Sequence, residues 1–284
     1  MASKSEQLAI PLWRGTSTDK RGQVVLFALP AGGNRATGPC LDLYVAAESF
    51  VRAQRLMPWR SHSNAAAVVD LIKPREETSA GCPVACEHLQ GESCYALHGV
   101  NVAGQTRAAL RSLLHCGGGE IPDVGDLDAA IRLAAAVALS SGRVAVRACV
   151  SGDLSQVPES VGRAVLDGLR AAGLSRRYVY THGWGHKRNA WIREYGVASV
   201  SSATAEAAAR RRGWNVFRVT TNAEGKGRIA ASVEGRCHKD ATPGGTCAGC
   251  PTPCDGEHSV WIPEHGPRRM KATAAQRRAA KASA

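Results

Sequence analysis

A chain of 284 residues with 44% hydrophobic side chains can bury a substantial core, and its length suits one barrel-sized domain with attachments. Its 36 basic and 24 acidic residues give a formal net charge of +12, which fits an anionic partner such as a nucleic acid or a nucleotide, or simply keeps an apolar-rich chain in solution. The first residues carry no apolar run, and the most apolar window, residues 127–139, is broken by Asp128 and Arg132. Neither a signal peptide nor a membrane span is expected, and the chain reads as cytoplasmic. In that reducing compartment its ten cysteines point to metal binding over disulfides.

Residues 24–29 and 41–45 are apolar runs that predict strands, joined by a turn-rich connection over 31–39. Gly32 and Gly33 do not complete a phosphate-binding loop, because no Gly-Lys-Ser/Thr follows them. A short strand is predicted at 68–72, helices at 106–114 and 127–140, a strand at 144–150 and a helix at 160–172. Strands at 178–181 and 197–200, a helix at 203–212 closed by Gly213, and a strand at 215–219 complete the series. Strands separated by helices of this length need crossover connections and therefore a parallel sheet. The expected fold is α/β, a full or partial parallel (β/α) barrel, with a doubly wound open sheet as the alternative. Residues 1–67 read as a β-rich segment, 68–234 as the barrel core and 235–265 as a cysteine-rich metal-binding region. Residues 266–284 form a basic tail with six basic residues and no acid.

Polar residues fall where the predicted strands end. Cys82 and Cys86 follow 68–72, Ser151-Gly152-Asp153 follows Val150, and Thr181-His182 closes the strand at 178–181. Ser201 and Ser202 follow Val200, and Thr220-Thr221-Asn222 follows Val219. In a parallel barrel all strands end at one face, so these groups are expected to converge on one mouth.

Seven cysteines form two groups. Cys82, Cys86 and Cys94 have a C-x3-C spacing and then seven residues, and three thiolates leave a coordination position open. The other option for this group is a zinc site completed by His88 or His98. Cys237, Cys247, Cys250 and Cys254 follow a C-x9-C-x2-C-x3-C pattern that can close a site, either zinc, with His238 or His258 as substitutes, or a second iron–sulfur cluster. Cys40, Cys116 and Cys149 lie apart from both groups and read as buried apolar thiols.

The first group, Gly81-Cys82-Pro83 through Cys94-Tyr95, resembles the radical S-adenosylmethionine superfamily, whose loop is C-x3-C-x2-C with an aromatic beside the last cysteine; here seven residues stand in place of the last two. The resemblance implies that Cys82, Cys86 and Cys94 hold a [4Fe-4S] cluster. It further implies that Gly152 and Asp153, at the position of a Gly-Gly-Glu-like motif, hold S-adenosylmethionine. Gly118-Gly119-Glu120 matches that motif by letter but follows a helix instead of a strand. Most of residues 34–266 also resembles a family of phage-encoded, cysteine-rich proteins of unassigned function, distant relatives of that superfamily. That likeness is carried by Asn34-Arg35-Ala36-Thr37-Gly38, Cys94-Tyr95, Gly152-Asp153, Tyr180-Thr181-His182, Ala198-Ser199-Val200, residues 213–219, the final four cysteines and His265-Gly266. It implies fold and cluster more than reaction, and a host cytoplasm as the setting.

The run from His182 through Trp184 and His186 to Lys187 and Arg188 is a candidate substrate-binding loop, with Trp184 stacking on a base and the cations on phosphate. It is equally readable as a solvated basic loop. His182 and Asp153 are the catalytic candidates, and no G-x-S-x-G elbow supports a hydrolase. Two functions compete: an iron–sulfur enzyme of radical type, served by an electron donor and modifying a base of a nucleic acid or nucleotide, and a non-catalytic zinc-stabilised nucleic-acid-binding protein.

Overall fold

The computed structural model describes residues 8–31, 38–54, 80–83, 100–220, 235–237, 241, 243–251 and 254–263. The strand expected at 68–72, Cys86, Cys94, His88, His98, His238, most of the 31–39 connection and the basic tail lie outside the described residues.

The first sheet starts with three long strands, β1 (Ile10–Thr16), β2 (Gln23–Leu29) and β3 (Cys40–Ala47), paired antiparallel in sequence order. Nearly every residue of β2 and β3 is buried, including Val24, Leu26, Leu41 and Leu43, as expected of strands covered on both faces. β4 (Ala145–Arg147) and β5 (Arg176–Tyr178) then add parallel to β3. The N-terminal β-rich segment is therefore one sheet with the expected core rather than a layer of its own.

The second sheet is all parallel, in the order β6 (Tyr180–Thr181), β7 (Val197–Val200), β8 (Val216–Thr220), β10 (Val260–Pro263) and β9 (Gly235–Arg236). β5 and β6 are one run of chain interrupted at Val179, whose N–H turns to Cys254 O at 3.1 Å. The two sheets thus share a seam, and all strands except β2 point the same way. β1 and β9 remain as outer strands among the described residues, so the array is an open α/β arrangement and no closed barrel is formed.

The crossovers carry α1 (Glu48–Ala53), α2 (Val100–Cys116), α3 (Leu127–Ser140), α4 (Glu159–Ala171) and α5 (Ala203–Arg211). α3 begins where the Asp126 carboxylate accepts from the N–H of Asp128 at 2.8 Å, and α5 where Ser202 Oγ accepts from Ala205 N–H at 3.1 Å. Between β6 and β7 the crossover consists of 3-10 turns, Gly183–Gly185 and Lys187–Glu194.

Side chains alternate across a strand, and this divides the sheet into two faces. Val146, Val179, Ala198 and Val216 meet Ile131, Ala134, Val165, Leu169 and Ala209 of the helices. Their neighbours Ala145, Tyr178 and Val197 face the other way, with Cys40, onto Ala248, Cys250 and Cys254. The cysteine-rich segment is thus a second covering layer. Among the described residues no helix is long and apolar enough to cross a membrane.

Candidate functional site

The ends of β3, β4 and β6 meet around one loop. After β4 the backbone keeps pairing on both sides, with Ala148 N–H on Tyr178 O at 2.9 Å, Val150 N–H on Leu43 O at 3.2 Å and Val45 N–H on Ser151 O at 3.0 Å. Gly152 then turns with φ +81°, and a Cβ there would lie 1.8 Å from Val45 O and 2.9 Å from Gly81 O. Only glycine allows this approach. Asp153 N–H donates to Gly81 O at 2.8 Å, which ties the start of the first cysteine group to the loop.

Cys82 is half-buried at this mouth, and its carbonyl accepts from Arg21 of the β1–β2 turn. Arg21 is held by Asp19 at 2.8 Å, and the same turn closes onto the loop through Thr18 N–H on Gln156 O at 3.2 Å. The expected meeting of Cys82, Gly152-Asp153 and Thr181-His182 is therefore present. Ser202 is spent as the cap of α5, and Thr220 is buried with its hydroxyl on Ile262 O at 3.3 Å. Thr221 and Asn222 lie outside the described residues.

Asp153 does a different job from the one expected of a cofactor carboxylate. It is 1% exposed; Oδ1 accepts from Ser155 N–H at 2.9 Å and Thr181 Oγ1 at 2.8 Å, and Oδ2 from His182 N–H at 2.7 Å. A buried carboxylate with this many donors is a brace that fixes the β4 and β6 loops against each other. His182 Nδ1 stands 3.9 Å from Oδ2, and its half-buried ring lies at the mouth beside that brace.

Cys116 is exposed, contrary to expectation, whereas Cys149 is the buried core thiol expected of it. Its backbone is left-handed at φ +63°, and its buried sulfur accepts from Leu154 N–H at 3.2 Å. Burial first, and then the Asp153 charge, push this thiol well up from its ordinary pKa. A left-handed non-glycine residue at a strand end has no signature in the sequence.

The second cysteine group covers the opposite face of the sheet. Cys250 N–H donates to Cys247 O at 2.9 Å and Gly249 N–H to Thr246 Oγ1 at 3.2 Å, forming the tight turn expected of C-x2-C. Tyr178 OH donates to Cys247 O, and Arg176 donates to Ala248 O at 2.8 Å. Cys237 follows β9, its N–H on Trp261 O at 2.9 Å. Tyr180 OH hydrogen-bonds to the Cys254 sulfur, and its edge packs on Phe217 at 4.9 Å between centroids. Burial, and then the neighbouring thiolates of Cys254 and Cys247, push the Tyr180 hydroxyl far up; burial and Cys237, Cys247 and Cys250 do the same for Cys254. Four cysteine sulfurs are the donor type that a soft metal takes. Cys40, expected to stand alone, belongs here: burial, Asp42 and Cys247 push its thiol up to about 12.

A tetrahedral zinc with sulfurs at about 2.3 Å would draw its ligands to about 3.8 Å from one another. Among the described residues, the ligand-type side chains whose donor atoms all lie within 4.8 Å are instead Asp255, Glu257 and His258. Cys237, Cys247, Cys250 and Cys254 do not form such a group among the described residues.

In the basic loop, Trp184 is half-buried against the core and carries Arg212 over its ring at 5.6 Å, a contact that competes with the stacking expected for a substrate base. His186, Lys187 and Arg188 are exposed. Compared with known protein families, curated proteins and solved structures, the chain matches none.

Proposed function

We propose that this is an iron–sulfur protein of the radical S-adenosylmethionine kind, built on an open βα barrel and modifying a base of a nucleic acid or nucleotide. The observation that carries the reading is the joining of Cys82 to the Gly152-Asp153 turn at the shared end of parallel strands, through Asp153 N–H on Gly81 O at 2.8 Å. Cys82, Cys86 and Cys94 would hold the cluster, leaving a position for S-adenosylmethionine. When bound, that pair supplies reductive cleavage of the cofactor with an electron from a separate donor.

The chain's own residues orient and shield. Arg21 and the Gly81 carbonyl fix the entry of the cysteine loop, while Gly152 lets its turn close on the Val45 and Gly81 carbonyls. Asp153 acts as a positioning residue, and His182 presents its half-buried ring at the mouth. Cys237, Cys247, Cys250 and Cys254 would hold an auxiliary cluster that pins the covering layer to Tyr178 and Tyr180.

A second reading, a zinc-stabilised nucleic-acid-binding protein without catalysis, is favoured by one observation: the Asp153 oxygens are already engaged by Ser155, Thr181 and His182. The two readings separate under anaerobic reconstitution with iron and sulfide, followed by reduction with S-adenosylmethionine present. Release of an adenosyl product that disappears in Cys82→Ala supports the enzyme. An intact cofactor with wild-type protein carrying a full cluster supports the binder.

A further inference from the structure

Exposed Arg52, Arg170 and Arg210 pair with Glu120 at 2.9 Å, Asp167 at 3.4 Å and Glu206 at 3.3 Å. The exposed cations around the 3-10 turns after β6 make no such pair among the described residues. Lys187, Arg188, Arg193, Arg211 and Arg212 are exposed, and none has a carboxylate within 4.0 Å among the described residues.

Arg193 and Arg212 are tied together across this crossover, and Lys187, Arg188 and Arg211 are their neighbours on the same two elements. Arg193 Nη1 donates to Arg212 O at 2.7 Å, and Arg212 Nη1 donates to Gly185 O at 2.9 Å while its guanidinium covers Trp184. The end of α5 is thereby fastened to the crossover that leaves the mouth at His182. Holding cations in place before a partner arrives lowers the ordering cost of binding, and like charges set close together repel one another in a way that a polyanion relieves.

We infer that this surface is the docking face for a nucleic-acid phosphate backbone, and that it leads the strand to the mouth at Cys82 and His182. The inference rests on the nucleic-acid part of the proposed function and names the surface that performs it. Because Trp184 is covered by Arg212, the surface reads charge and not bases, so binding here is independent of sequence and strongly dependent on salt.

The test is fluorescence anisotropy of the full chain with a labelled mixed-sequence duplex DNA and a labelled single-stranded RNA, titrated across salt. Five phosphate contacts give a log–log salt slope of about −4.5 on duplex and about −3.5 on single strands. Arg188→Glu with Arg211→Glu removes two contacts; the duplex slope should fall by about 1.8 and affinity drop more than tenfold. Arg277→Glu with Arg278→Glu, in the basic tail, is the control for charge elsewhere. The inference is overturned if the tail variant loses binding while the patch variant binds like wild type. It is also overturned if vesicles containing phosphatidylserine compete for the same arginines as well as DNA does. Iron, sulfide and zinc content, read on the same samples, should be unchanged by the patch variant; the failure of the metal reading would appear there and not in the anisotropy.

Discussion

Gly152→Ala is the change expected to damage the mouth most for the fewest atoms added. The methyl would enter at 1.8 Å from Val45 O, inside any contact distance, on a backbone at φ +81°. The left-handed conformation costs alanine about 1–2 kcal/mol, and overpacking against backbone adds about 1–3 kcal/mol. Relief requires the loop to lift, which stretches Val45 N–H on Ser151 O and Asp153 N–H on Gly81 O, each worth about 1 kcal/mol. The total is about 4–7 kcal/mol, a large part of the roughly 5–15 kcal/mol that holds a domain folded. Gly142→Ala is the internal control, because Gly142 has a similar φ of +69° with nothing within 4 Å. Urea unfolding should place Gly142→Ala about 1–2 kcal/mol below wild type and Gly152→Ala well below that. Equal losses in the two variants would refute the close approach of the β3, β4 and Gly81 backbones.

Asp153→Asn replaces one acceptor oxygen by a donor facing the N–H of Ser155 or His182 or the Thr181 hydroxyl, and should cost about 2–3 kcal/mol in urea; a neutral result would contradict the brace. In thiol labelling of the folded, metal-free chain near neutral pH, the exposed Cys116 should react quickly, while Cys40 and Cys149 should stay protected until unfolding. Fast labelling of Cys40 would place it outside the buried group. The Arg163 hydrogen bond holds the Glu194 carboxyl below its usual range, so its stabilisation is complete above the unfolded value near 4.5 and is lost as pH falls through the folded value. The pair is exposed, so the effect should be under about 1 kcal/mol and screened by salt. Glu194→Gln should flatten that part of the stability profile below pH 4.5, and an unchanged profile would remove the pair from the account.

Periodicity exposed most of the fold. The helix at 127–140 and the strand at 197–200 coincide with the predicted bounds, because Ile131, Ala134 and Ala138 keep helical spacing and Asp126 caps the start. β1 and β10 were missed for a physical reason. Ile10-Pro11-Leu12-Trp13 is interrupted by a proline and a register shift at an outer strand, and Val260-Trp261-Ile262 is too short an apolar run to stand out beside the cysteines. The mouth was legible because Gly152-Asp153 and Thr181-His182 sit at strand ends. The internal use of Asp153 was not, since a brace and a ligand look alike until their donors are known. Tyr178, Tyr180 and Cys40 join the second cysteine group through the sheet, over separations of about 70 residues and more, beyond what local spacing encodes.

Metal content per chain tests the central claim most directly. Protein purified without oxygen should contain iron and acid-labile sulfide, with the broad visible absorption of an iron–sulfur cluster. Cys82→Ala should lose one share of the iron and Cys250→Ala the other, each leaving the remaining centre in place. A colourless protein carrying zinc alone, with the zinc lost only in Cys250→Ala, would contradict the account.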